Sequence, residues 1–492
     1  MYYIGIDLGT SAVKLLLMDG EGNIRNMVSR EYPISFPHPT WAEQEPEDWW
    51  TQTKEGLDDL LSGIDRKLVA GISFGGQMHG LVILDQEDAV IRPAILWNDS
   101  RTAEETDYLN EKIGRDFLSR HTGNIAFTGF TAPKILWLKA HEPGHFARIR
   151  KIMLPKDYLA YRMTGVYATD FSDASGTLLL DVQGRTWSKE MLAICGVTED
   201  MLPGLYRSCD CIGSLTAQAA EELGLPREVK VAAGAGDNAA AAVETGTVAE
   251  GGCNLSIGTS GTLLIASDHF RVDADNALHS FCDAGDKYHL MGCMLSAASC
   301  NQWWMEKILS ERDYARAQSR IDERGLGRNQ VFFLPYLMGE RSPLNGPYAR
   351  ACFLGMTMDT GREELTQAVM EGVAFACRDM LEVARGQGIV INRSRLVGGG
   401  ARSSLWQKIL ANVLGIELEL LETEEGPSLG AAILAAVACG AYADLNEAVR
   451  ALVRVKKTIA PDPALTQRYR ERYEKFSKLY PALREVFRAL AE

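Results

Sequence analysis

The sequence lacks several features that would settle a function class at once. It has no Gly-x-x-x-x-Gly-Lys-Ser/Thr run and no Gly-x-Gly-x-x-Gly fingerprint, so P-loop and Rossmann nucleotide sites are disfavoured. It has no excess of positive charge. Lys and Arg number 51 against 65 Asp and Glu, and the net charge of −14 argues against nonspecific binding to nucleic acid or an anionic membrane. Long apolar runs are missing too: the longest, around Leu429–Tyr442, is too short and too rich in Ala and Gly to span a bilayer. Of ten cysteines only Cys209 and Cys211 stand close together, with no histidine at zinc-ligand spacing. They read as reduced thiols of a cytoplasmic protein. The opening Met1–Asp7 has no basic stretch and carries an acid at once, so it reads as a strand and not as a secretion signal.

The chain does have length and regular patterning. A single core stops growing near ~250–300 residues, so 492 residues predict two large domains. Apolar residues at 46% and charged residues at 24% suit a globular protein. Tyr2–Leu8 and Val13–Asp19 read as strands around a Gly9-Thr10-Ser11 turn. A helix is expected over Glu47–Leu61, a strand over Val69–Phe74, and a capping box at Thr102 and Glu105 that opens a helix to about Ile113. The six residues Asp7–Ala12 recur 249 positions later as Ser256–Gly261, again Gly-Thr-Ser between apolar strands. This suggests two related α/β domains, 1–247 and 248–492, with Gly246–Gly252 as the hinge. Thr466–Ala491 reads as an amphipathic helical region packed on its own domain.

Four elements carry chemistry. In the first, Gly9 lets backbone N–H groups approach a phosphate, Thr10 and Ser11 add hydroxyl donors, and Lys14 either reaches phosphate charge or is merely solvated. Asp7, at a strand end, suits Mg²⁺ held through water. In the second, Gly258-Thr259-Ser260 offers the same donors, but Ser256 replaces the acid. In the third, a Gly-rich turn leads into an Ala-rich helix at Asp237-Asn238. Asp237 is either an N-cap or the carboxylate that takes a proton from an attacking hydroxyl. In the fourth, Gly398-Gly399-Gly400-Ala401 follows a strand and lets a flat ring or ribose lie on bare backbone.

Together these segments resemble the FGGY family of carbohydrate kinases over nearly the whole chain. The resemblance implies two ribonuclease H-like domains of the actin and hexokinase type, with an ATP and sugar cleft between them. It implies two phosphate turns, an adenosine element at Gly398–Ala401, Asp237 as the base, and ATP and Mg²⁺ as cosubstrate and cofactor. Further segments are similar to the xylulokinase branch: Gln77-Met78-His79, Trp97-Asn98-Asp99, Gly129–Lys134, Leu154–Leu159 and Ser172–Thr177. By that likeness Met78 and His79 contact the sugar. Gln77, Asn98, Asp99 and Asn238 are residue types suited to a polyol. The expected reaction is phosphorylation of D-xylulose to D-xylulose 5-phosphate. A sister kinase for another ketose or polyol such as ribulose, and an actin-like or chaperone-like ATPase, stand as alternatives. A small sugar is the expected partner, and the sequence leaves room for a homodimer.

Overall fold

The structure, a computed structural model, describes residues 1–491. The first sheet is built from Tyr2–Leu8 (β1), Ala12–Asp19 (β2), Ile24–Glu31 (β3), Val69–Gly76 (β4), Cys211–Ser214 (β5), Lys230–Ala232 (β6) and Ala235–Gly236 (β7). Its order is β5-β6-β4-β1-β2-β3, with β7 beside β4. β1 runs antiparallel to β2 and parallel to β4. The second sheet comprises Cys253–Ile257 (β8), Gly261–Ser267 (β9), His279–Cys282 (β10), Tyr288–Met294 (β11), Arg393–Val397 (β12), Glu417–Leu421 (β13) and Val455–Ile459 (β14), in the order β10-β11-β9-β8-β12-β13-β14.

The two sheets share one plan. Reading β3-β2-β1-β4-β6 against β11-β9-β8-β12-β13, the pairings are antiparallel, antiparallel, parallel and parallel in both. The Gly-Thr-Ser repeat falls at the same place in each, in the turn from β1 to β2 and from β8 to β9. The six-residue repeat in the sequence is thus the visible remnant of a duplicated fold.

Two helices pack against each other on the first sheet, Asp237–Glu244 (α1) and Pro427–Ala438 (α2). The apolar run near residue 430 is α2. Its small residues permit very close packing: a Cβ on Gly5 of β1 would collide with the Ser428 carbonyl, and one on Gly430 with the Ala240 carbonyl. Although α2 lies late in the chain, Leu429, Ala432 and Ile433 share an apolar cluster with Tyr3 and Leu16 of the first sheet. The halves also meet where the Cys282 N–H donates to Ser175 Oγ at 3.0 Å and Asn124 Nδ2 donates to the Ser280 carbonyl at 2.8 Å.

The capping box at Thr102 does not form. Its hydroxyl donates instead to the Thr128 carbonyl at 3.0 Å, and the segment is α-helical over Ala103–Asp107, then π-helical over Tyr108–Gly114. The C-terminal region is two helices, Pro463–Phe476 and Leu479–Ala489, which bury Tyr469, Phe476 and Phe487 in the core of the second half. No described helix is long and apolar enough to cross a membrane.

Candidate active site

Asp7 sits near the end of β1, opposite Lys14 on β2 and beside Gly75 on β4. The turn that follows is held from several sides. The Tyr32 hydroxyl donates to the Gly9 carbonyl, Gln44 Nε2 to the Thr10 carbonyl at 2.7 Å, and Trp97 Nε1 to Thr10 Oγ1 at 2.8 Å. Because Thr10 accepts from the indole, its own hydroxyl proton is free to point elsewhere. Ser11 is exposed. Gln77 is buried behind the turn and donates to Gln44 Oε1 at 3.1 Å, so it reaches the turn only through Gln44. Lys14 is neither free nor simply solvated: Nζ donates to the Glu425 carbonyl at 2.8 Å and to its carboxylate at 2.7 Å.

The helix cap of α1 is Gly236, and no side chain caps the helix. Asp237 is its first residue, half-buried, and its Oδ1 accepts from Asn238 N–H and Nδ2, each at 2.7 Å. Its other oxygen has no hydrogen-bond partner among the described residues. Burial pushes its carboxyl up to about 6, against the two bonds from Asn238. Asp7 is pushed up to about 7 by burial and then by the negative charge of Asp237, with Lys14 opposing and Glu244 adding to the rise. The two acids therefore lie close enough for the charge of Asp237 to raise the Asp7 carboxyl. Such a donor set, hard oxygens under mutual repulsion, suits a cation brought in with phosphates. No group of three or more metal-ligating side chains exists among the described residues, so the chain does not form a closed metal cage by itself.

His79 has a left-handed backbone (φ 68°). Its Nδ1 lies 2.6 Å from the Gly176 carbonyl and must carry the proton there, and its ring stacks on Phe130 at 4.5 Å. Burial holds the imidazole down to about 3. The ring is thus neutral, with Nε2 a bare acceptor. Lys134 and Thr131 clamp the His79 carbonyl, at 2.7 and 3.1 Å. Met78 is buried and packs against Gly176 and Gly236, where a Cβ would crowd it. Asn98 is exposed. Asp99 is a correction: it is 0% exposed, and its carboxylate is taken up by Arg101 Nε and Nη2 and by the Ala42 N–H at 2.6 Å. It braces this loop and presents nothing to the cleft.

In the second half, Gly258 and Thr259 join Gly399, Gly400, Arg402 and Gln318 around a pocket of about 620 Å³. Ser260 is exposed at the tip of the same turn. The glycines differ in their reasons. Gly398 has φ 88°, Gly400 packs against Ile257, and a Cβ on Gly399 would meet nothing within 4 Å, so Gly399 faces the open pocket. Ala401 is buried, its carbonyl accepting from Gln407 Nε2 at 2.6 Å, and it does not line the pocket.

Sequence reasoning missed Gln44, Tyr32, Glu425 and Arg341. The Arg341 guanidinium comes from the second half and lies 5.2 Å from the Phe127 ring, and its charge acts on His79. No local motif marks these residues, because each acts across a long separation in the chain.

Two family models match the chain: the N-terminal domain of the FGGY family of carbohydrate kinases over residues 2–244, and its C-terminal domain over 253–439. The chain is similar to the xylulose kinase of Escherichia coli K12, 41% identical over 483 residues, covering 98% of this chain and 99% of that one. Among solved structures it is similar to a xyloylose kinase from Brucella ovis (TM-score 0.94, 41% identity, 99% and 100% coverage). It superposes equally well on a gluconate kinase from Lactobacillus acidophilus (TM-score 0.94, 26% identity, 99% of each chain). Backbone shape does not separate these sugars, so side chains must. On the family models and the full-length relatives, the chain belongs to the FGGY family of carbohydrate kinases.

Proposed function

We propose that this kinase transfers the γ-phosphoryl group of ATP to the C5 hydroxyl of D-xylulose, giving D-xylulose 5-phosphate and ADP. The observation that carries the assignment is the joint occurrence of a half-buried Asp237 with one uncommitted oxygen and a neutral His79 with a bare Nε2. Asp237 orients the hydroxyl and takes its proton as the oxygen bonds to the γ-phosphorus and the bond to the bridging oxygen of ADP breaks. His79 Nε2 accepts from a sugar hydroxyl, and Asn98 and Asn238 are polar groups of the same half. The turns at Gly9–Ser11 and Gly258–Ser260 hold the phosphates, and Gly399 underlies the adenosine. Mg²⁺, when bound, neutralises charge on the phosphate oxygens; Asp7 is the residue that fits holding it, through water. Met78 shapes the apolar wall, and Gln77 acts behind it through Gln44.

The test is ADP release over a panel of D-xylulose, ribulose, gluconate and glycerol. D-Xylulose should give the highest kcat/KM. Gluconate belongs in the panel because the Arg341 guanidinium forms no ion pair with a carboxylate among the described residues. Another leading sugar would replace the substrate but keep the kinase. ADP release that ignores every sugar would point to an actin-like ATPase.

A further inference from the structure

Two of the sequence segments that match the sugar kinases, Leu154–Leu159 and Ser172–Thr177, enter the mechanism above only through Gly176, which accepts from His79 and packs on Met78. The fold brings them together under the Asp237 turn. Lys156 is wholly buried, with Nζ 2.7 Å from Asp157, 3.0 Å from Asp170 and 3.6 Å from Asp173. All three acids are 0% exposed. A lysine so placed is costly unless paired, and the three carboxylates outweigh its burial and keep it charged. Its stem lies flat against Gly76, where a Cβ would meet Lys156 Cβ at 2.7 Å. Lys156 therefore also supports the end of β4, just before Gln77-Met78-His79.

From Lys156 a continuous path leads to the site. Asp170 accepts from the Ser172 hydroxyl at 2.5 Å, and Ser172 Oγ in turn accepts the Gly236 N–H at 3.1 Å. Gly236 is the residue before Asp237. A second hydroxyl, Ser208, also donates to Asp170 Oδ2, at 2.7 Å, but its side chain makes no bond to the turn. The contact between Ser172 and Gly236 fixes the backbone from which the Asp237 carboxylate projects. Asp173 has no hydrogen bond on either oxygen among the described residues; burial raises its carboxyl well above the ordinary range, with Lys156 opposing and its acidic neighbours adding to the rise.

We propose that Lys156, Asp170 and Ser172 form a positioning relay for Asp237, in which the buried lysine fixes Asp170, Asp170 orients the Ser172 hydroxyl, and Ser172 holds the Gly236 N–H so that the base meets the sugar hydroxyl at a set angle. The inference rests on the reading of Asp237 as the base. A misplacement of about 1 Å in a reacting group costs on the order of 10²-fold in rate, so loosening this turn should appear in kcat and not in binding.

Removing Lys156 would leave three buried acids unpaired and risks the fold, so the test uses two milder variants. Ser172→Ala and Ser208→Ala each delete one hydroxyl from Asp170, but only the first cuts the relay. Ser172→Ala should lower kcat by at least about tenfold with KM for sugar and ATP within about threefold, while Ser208→Ala stays within about twofold of the parent. Thermal unfolding of both variants measures their shared structural cost. Equal kcat losses in the two variants, no loss in either, or a Ser172→Ala loss that appears only in KM would overturn the relay. Asp237→Asn is assayed alongside. If that variant keeps its turnover, the base assignment itself fails, and the relay with it; if it is inactive and the serine variants do not differ, only the relay fails.

Discussion

The two Gly-Thr-Ser turns are built on the same strands of a repeated sheet, and the residues that precede them differ in kind. In the first, Asp7 pairs in register with Lys14 and lies beside Gly75. In the second, Ser256 pairs with Thr262 and lies beside Val397. An ionisable pair in one half corresponds to a pair of hydroxyl residues in the other. Their surroundings follow suit. The first turn is held by Tyr32, Gln44 and Trp97 and sits near Asp237, whereas the second opens onto a glycine-lined pocket. Duplication supplied the Gly-Thr-Ser turn twice, and the acid before the turn is present only in the first half.

Several substitutions would break that asymmetry. The largest effect is expected from Asp237→Asn, with kcat falling by about 10³-fold in the coupled assay. The same variant should melt higher at neutral pH, since it removes a carboxylate held above its ordinary range. Asp7→Asn should lower kcat by about 10²-fold and weaken the dependence on Mg²⁺, measured by titrating the metal at fixed ATP. Ser256→Asp makes the two turns alike. It should raise KM for ATP by roughly tenfold, because a carboxylate then faces a phosphate with no Lys14 counterpart at Thr262.

The sequence carried the local part of this account and little of the rest. Both Gly-Thr-Ser turns and the glycine run were legible as turns at strand ends, and Asp237 as the start of a helix, because each is a short motif with a physical reason for its residues. Asp99 was misread because the residue that neutralises it, Arg101, folds back only two positions later. Gln77 was placed at the sugar when it stands behind a turn, since depth along a strand end leaves no mark on residue type. The crossing of α2 onto the first sheet showed only as unexplained Ala and Gly. The burial of Lys156 left no mark in the sequence, because its three acids come together only in the fold.

The pH dependence sharpens the comparison further. The proposed base must be ionised, so the rate should rise with pH through about 6, the value to which burial pushes Asp237. Stability runs the other way. Asp237 at about 6 and Asp7 at about 7 bind more protons when folded than when unfolded, so the free protein should lose stability as pH rises from about 4 through 7. The gap in melting temperature between Asp237→Asn and the parent should therefore widen across that window, and a constant gap would contradict it. A smaller effect is expected from closure about the Gly246–Gly252 segment: sugar and nucleotide together should reduce the radius of gyration by a few per cent at most.

The central claim is that the sugar is read by the first half and the nucleotide by the second. It is tested most directly by measuring both Michaelis constants for His79→Ala and Gly399→Val in one assay. The account predicts a rise in the sugar KM of about tenfold or more for His79→Ala with the ATP KM within about twofold, and the reverse for Gly399→Val, whose new side chain would fill open pocket space. If both constants moved together in both variants, the division of labour between the two halves would be wrong.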